Sequence, residues 1–159
     1  MRKFWNWKGY KIAWQVEGKR NNNRTAIVMI HGFGACKEHW RFNQSTLGSI
    51  APCYAIDLIG FGDSDQPGIR QIGRLNNEIW CNQVKDFIAQ VIRPKNSEKI
   101  VLIGNSLGSL VALTCAVSLE DQIATVIASP LPDQIREYKK SVTKKSLFKK
   151  LQRRLLKIK

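Results

Sequence analysis

Residues 99–117 read KIVLIGNSLGSLVALTCAV, and the fold turns on how this stretch divides. KIVLI (99–103) is a short continuous apolar run, as expected of a strand buried on both faces. From Ser106 to Val117 the residues are mostly small or apolar and imply a buried helix. Between them Gly104, Asn105, Ser106, Leu107 and Gly108 spell G-x-S-x-G, the sequence of a turn that carries a nucleophilic serine from a strand into a helix. The turn is sharp, so side chains at Gly104 and Gly108 would collide with the neighbouring strand and helix. Ser106 falls at the helix N-terminus, where the dipole favours a developing anion. An ordinary Gly/Ser-rich turn is the plain alternative; the apolar runs on either side favour the nucleophile turn.

Outward from this stretch the same pattern repeats. TAIVMI (25–30), CYAID (53–57) and IATVIA (123–128) read as further core strands, the last closed by Pro130 and Pro132. FWNWKGYKIAWQV (4–16) reads as two aromatic-rich strands around Lys8-Gly9, a hairpin signal. Residues 75–92 carry Leu75, Ile79, Trp80, Val84, Phe87, Ile88, Val91 and Ile92 at helical spacing, with Pro94 just past the stop. Strand and helix alternating at these spacings predict an α/β fold. Its mostly parallel sheet would hold about six strands with crossover helices, preceded by an N-terminal hairpin and followed by a basic C-terminal helix.

A second motif, HGFG (31–34), follows the strand TAIVMI. Acyl transfer needs two N–H donors aimed at the developing oxyanion. The backbone N–H groups of Phe33 and Leu107 are the natural pair, with Gly32 and Gly34 letting the loop approach closely. Asp57, Asp63 and Asp65 lie on loops at the same end of the sheet, where Asx turns are the expected role.

IHGFGACKEHWRFN, YAIDLIGFGDSDQPG and LIGNSLGSLVAL resemble the α/β-hydrolase fold superfamily. Within it, His39-Trp40-Arg41 and Ser109-Leu110 resemble the pheophytinase-like and chlorophyll-dephytylase-like hydrolases of plants and cyanobacteria. The resemblance runs from WNWKGYKIAW to about SPLPD (129–133). It implies Ser106 as nucleophile, Phe33 and Leu107 as oxyanion donors, and hydrolysis of an ester in a hydrophobic substrate. That family continues into a cap, two more strands, a late acid and a late histidine. Here fifty-three residues follow Ser106, and the only histidines are His31 and His39, both before it. The expectation is therefore a truncated α/β-hydrolase, weak or inactive alone, whose base a second polypeptide supplies. His31, His39 and Asp133 are second candidates for the missing base and acid. Each has a bland reading: His31 as a structural residue beside the oxyanion glycine, His39 as a packing residue, Asp133 as part of a Pro-Leu-Pro-Asp turn. Six strands where the resembled fold has eight would leave one sheet edge open and one face partly bare.

Length and composition agree with this frame. The 159 residues suit one domain, and 43% hydrophobic residues can build a core. No apolar run reaches membrane-spanning length, and the first residues lack the pattern of a signal peptide. Cys36, Cys53, Cys81 and Cys115 are scattered without C-x-x-C spacing, which favours reduced thiols in a cytoplasmic chain over disulfides or a metal site. No cofactor and no metal are expected. The formal net charge is +14, and most of it lies in residues 134–159, which hold eleven bases and one acid. The chain thus divides into 1–133, the N-terminal part of a hydrolase domain, and 134–159, a basic tail. In SLFKKLQRRLLKIK, Leu147, Leu151, Leu155 and Ile158 recur at helical spacing. This tail reads as a remnant of a cap helix. The alternative function is a non-enzymatic homologue whose basic helix (146–159) binds an anionic membrane surface or nucleic acid, the nucleic acid being the less expected partner.

Overall fold

The computed structural model describes residues 2–19, 25–95 and 97–129. Asp133, the closing prolines and the basic segment 134–159 lie outside them. The described elements run β1 (Lys3–Trp7), β2 (Tyr10–Glu17), β3 (Thr25–Ile30), α1 (Arg41–Gly48), β4 (Cys53–Ile56), α2 (Ile69–Ile72), α3 (Asn77–Phe87), β5 (Lys99–Gly104), α4 (Leu107–Ser118) and β6 (Ile123–Ala128). A 3-10 turn at Lys37–Trp40 leads into α1, and a π-turn at Ile88–Ile92 ends α3.

The six strands form one sheet in the order β1-β2-β4-β3-β5-β6. β1 with β2 and β2 with β4 are antiparallel; β4, β3, β5 and β6 run parallel. This is the mostly parallel sheet with crossover helices that the apolar runs predict. The period of two in each strand sorts side chains to two faces. Val28, Ile30, Ile100 and Leu102 meet Val84 and Phe87 of α3 and Val111, Ala112 and Cys115 of α4. Ile27, Met29, Cys53 and Ala55 face the other way, under Leu47 of α1. α3 starts on a proper cap, the Asn76 Oδ1 accepting the Ile79 N–H at 3.0 Å.

The chain leaves β3 toward β4 through α1 on one face, and leaves β5 toward β6 through α4 on the other. Opposite directions on opposite faces share one hand, as parallel crossovers require. β3 and β5 are neighbours whose connections depart to opposite sides. Such a switch point, outside the carboxyl ends of the strands, is where open α/β sheets bind ligands.

IATVIA departs from its expected place in the core. β6 is an edge strand, and Ala124, Thr125 and Ile127 are exposed. It has α4 on one face; among the described residues no helix covers the Ile127 side. Hydrophobicity made the strand, but coverage is decided by elements elsewhere.

Candidate active site

The turn after β5 brings Ser106 to the first position before α4. Its backbone is at φ 50° and ψ −112°, a left-handed region that non-glycine residues seldom occupy. Surrounding bonds hold it there. Asn105 N–H donates to Ile30 O (3.1 Å), Ser109 Oγ–H to Gly104 O (2.8 Å), and Asn105 Nδ2 to Ser129 O (3.0 Å). The two glycines permit the close approach that the turn needs. A Cβ at Gly104 would strike the Gly108 carbonyl, and one at Gly108 would strike the Ile30 carbonyl.

The HGFG loop lies directly against this turn. A Cβ on Gly32 would sit 3.4 Å from Ser106 Cβ and 3.0 Å from Asn105 Oδ1. Gly34 has a different role from the close approach expected of it. A side chain there would meet nothing within 4 Å, and its φ of +69° is the reason for glycine. Phe33 is exposed, its ring edge-on to Phe61 at 5.3 Å. Among the described residues neither the Phe33 nor the Leu107 N–H donates to a protein acceptor. α4 cannot use the Leu107 N–H, because the first N–H groups of a helix have no intrahelical partner.

His31 is fully buried and both ring nitrogens are engaged. Leu58 N–H donates to Nε2 at 3.0 Å, so Nδ1 carries the proton and donates to Gly32 O at 2.7 Å. Burial holds its pKa below the usual histidine value, the imidazole staying neutral. The ring therefore ties the loop after β3 to the loop after β4. His39 stands in the 3-10 turn, its ring edge-on to Trp40 at 4.9 Å.

Sequence reasoning passed over Lys37. Its side chain is fully buried, and Nζ lies 3.1 Å from Asp57 Oδ2, 2.6 Å from Asp63 Oδ2 and 2.8 Å from Glu38 Oε1. Lys37 N–H also donates to Asp57 Oδ1 at 2.5 Å, and Asp63 N–H to Asp57 Oδ2 at 2.8 Å. Burial alone would lower the lysine pKa, but the carboxylates of Asp63, Glu38 and Asp57 outweigh it and raise it. In return Lys37 holds Asp63 below the usual carboxylate range. Burial pushes Glu38 upward, and Lys37 more than reverses it. The three carboxylates are close enough to share a cation, and the lysine ammonium fills that place. The expectation of local Asx turns is corrected accordingly. Asp57 and Asp63 bind Lys37, twenty or more residues away, and Asp65 Oδ2 accepts the Lys11 N–H at 2.7 Å. The one signal for this cluster was an aspartate at the end of a buried strand. All four cysteines are free thiols, with Cys81 and Cys115 Sγ atoms 3.3 Å apart between α3 and α4.

A family model of the alpha/beta hydrolase fold matches residues 25–141. The chain belongs to the alpha/beta hydrolase family. Human 1-acylglycerol-3-phosphate O-acyltransferase ABHD5 is 30% identical over 120 residues, which are 75% of this chain and 33% of that protein. Pimeloyl-(acyl-carrier protein) methyl ester esterase of Pectobacterium carotovorum subsp. carotovorum (strain PC1) is 30% identical over 125 residues, 75% of this chain and 42% of the esterase. A solved structure of a membrane phospholipase A, described as a novel bacterial virulence factor, superposes with a TM-score of 0.69 at 26% identity, covering 82% of this chain and 40% of that one. The chain thus spans about a third of the length of the human relative and under half of the esterase. No described helix is long and apolar enough to cross a membrane.

Proposed function

We propose that this chain carries the nucleophile and the oxyanion donors of a serine hydrolase acting on an ester of a hydrophobic substrate. The observation that carries the reading is the seating of Gly32 against Ser106, with the Phe33 and Leu107 N–H groups left without acceptors among the described residues. In this reaction Ser106 Oγ attacks the ester carbonyl carbon while a base takes its proton. The carbonyl oxygen gains the negative charge and lies between the two N–H groups, which stabilise it more than they stabilise the ground state. The tetrahedral species expels the alkoxide, which takes the proton from the base. Water then releases the acid by the same steps. His31 does not serve as the base, because both of its nitrogens hold loops together. The base comes from outside these 159 residues, such as a second polypeptide. The likeness of His39-Trp40-Arg41 and Ser109-Leu110 to pheophytinase-like hydrolases belongs with this reading.

The test supplies the base in solution. The purified chain, treated with a fluorophosphonate, should label slowly at Ser106, and added imidazole should speed the labelling severalfold. Ser106→Ala should abolish the adduct, as read by peptide mass spectrometry. Labelling elsewhere, or a rate indifferent to imidazole, sinks the reading. Brisk ester turnover by the chain alone, lost in Ser106→Ala, would instead show that a base is already present.

A further inference from the structure

The β1–β2 hairpin overhangs the sheet. β2 pairs with β4 only from Trp14 opposite Ile56 to Glu17 opposite Cys53. Tyr10–Ala13 and the Lys8-Gly9 turn therefore run past the last residue of β4, by about 13 Å at the rise of a strand. The overhang lies at the carboxyl end of the parallel strands, the end that holds Ser106. Asp57 N–H fixes it by donating to Ala13 O (2.9 Å), Asp65 N–H by donating to Lys11 O (2.9 Å), and Tyr10 Oη by donating to Gln71 O within α2 (3.3 Å). α1 also begins at this end, because its last residue, Gly48, packs on Gly18 at the far end of β2.

Two sets of side chains meet there. The three most exposed large apolar residues among those described are Phe33 (79%), Phe42 (76%) and Ile69 (72%). They sit on the loop after β3, the first turn of α1 and the start of α2. Three of the four cation–aromatic pairs among the described residues also lie at this end, and the fourth, Lys3 with Trp14, stands where β2 begins to pair with β4. Lys8 Nζ stands 5.2 Å from the Trp7 ring and Lys3 Nζ 5.1 Å from Trp14. Lys11 Nζ stands 5.0 Å from Phe4, and the Arg41 guanidinium 4.4 Å from Phe42. Arg70 and Arg74 are exposed beside them. Of the acids at this end, Asp57, Asp63 and Glu38 bind Lys37 and Asp65 binds the Lys11 N–H, while Glu78 in the first turn of α3 is exposed and is outnumbered by Lys8, Lys11, Arg41, Arg70 and Arg74.

We propose that this end of the molecule docks on an anionic lipid surface, with Phe42, Ile69 and Phe33 entering the headgroup layer and Lys8, Arg41 and Arg70 meeting lipid phosphates. Large apolar side chains ringed by cations are the composition that lies in a bilayer interface. The lysine ammonium and arginine guanidinium groups stand over aromatic rings at this surface. Anionic lipid attracts each such cation within a Debye length. A nucleic acid fits the same surface less well. Single strands bind by stacking bases on open ring faces, and here the faces of Trp7, Trp14, Phe4 and Phe42 already carry the protein's own cations. The proposal rests on fold and register, so it stands or falls apart from the reactivity of Ser106.

The test uses the full chain and vesicles of phosphatidylcholine with or without phosphatidylglycerol. The variant Lys8→Glu/Phe42→Ser/Ile69→Ser alters exposed side chains and leaves 134–159 unchanged. It should partition onto the anionic vesicles about tenfold less than the parent, given the charge and apolar area removed. As a positional readout against the background of the five native tryptophans, Phe42→Trp should add to the parent's quenching by brominated lipid and Ile50→Trp, at the opposite end of α1, should add none. Equal partition of variant and parent, or equal quenching at 42 and 50, overturns the proposal. So does a variant that loses binding to a single-stranded oligonucleotide while holding vesicles as before.

Discussion

The two faces of the sheet are built unequally. One is closed by α3, α4 and the aromatic hairpin. At its centre the buried Phe87 takes the ring edges of Trp5 (5.7 Å), Trp14 (5.5 Å) and Tyr54 (6.2 Å). The other face holds a smaller cluster beneath α1, then runs out across the half-buried Val101 and Ile103 to Ile127, which is 49% exposed. Cohesion thus comes from one side, while the candidate site sits at the strand ends between the two. The candidate site is thus held by a sheet that the described residues close on one face and only partly on the other.

The largest expected effect tests that imbalance. Phe87→Ala should lower the unfolding free energy by about 3–5 kcal/mol, the range for a deleted buried aromatic, as read by urea denaturation. An equal loss from Leu47→Ala on the α1 face would break the comparison.

Next comes the ion cluster that joins the loops above both faces. Lys37→Met leaves the fully buried Asp57 without its cation and should cost about 3 kcal/mol. The variant should also change the acid limb of stability. Asp63 and Glu38 have lowered folded-state pKa values, so their contribution is present above the unfolded carboxylate pKa of about 4. It is lost as pH falls through the folded values. The raised Lys37 pKa places its own contribution at full strength below the unfolded lysine value, and loss comes only in strong base. Melting midpoints followed from neutral to acid pH should fall more steeply for the parent than for the variant; parallel limbs would refute the assignment.

The smallest effect is expected on the bare face. Ile127→Ser should shift stability by less than about 0.5 kcal/mol, while light scattering at rising concentration should show less self-association of the β6 edge. A large loss of stability would mean that something covers this face after all.

Much of this architecture was legible in the sequence, for identifiable reasons. Parallel strands buried on both faces read as unbroken apolar runs, so TAIVMI and KIVLI declared themselves. The tight turn at Ser106 leaves glycines at fixed offsets, because only hydrogen fits beside the Gly108 and Ile30 carbonyls. What was not legible depends on tertiary partners. A lysine between a glycine loop and a tryptophan looks solvated until three acids from two loops are folded onto it. IATVIA has the composition of a core strand, yet its coverage depends on which helices reach it. The His31 ring could not be assigned either, since its two acceptor and donor partners come from its own loop and from Leu58, on the next one.

Ser129 was met only as an acceptor at the elbow, yet it sets a mechanical boundary condition. Its carbonyl receives the Asn105 amide (3.0 Å) and the Ser106 N–H (3.4 Å), while its own N–H is held by Gly104 O (3.0 Å) and Ser109 Oγ (3.1 Å). The backbone leaving β6 is thus clamped to the residues that shape the nucleophile. A load applied to the chain beyond this point is delivered first to the Ser106 turn, so the next segment of polypeptide has a built-in lever on the geometry of the candidate site.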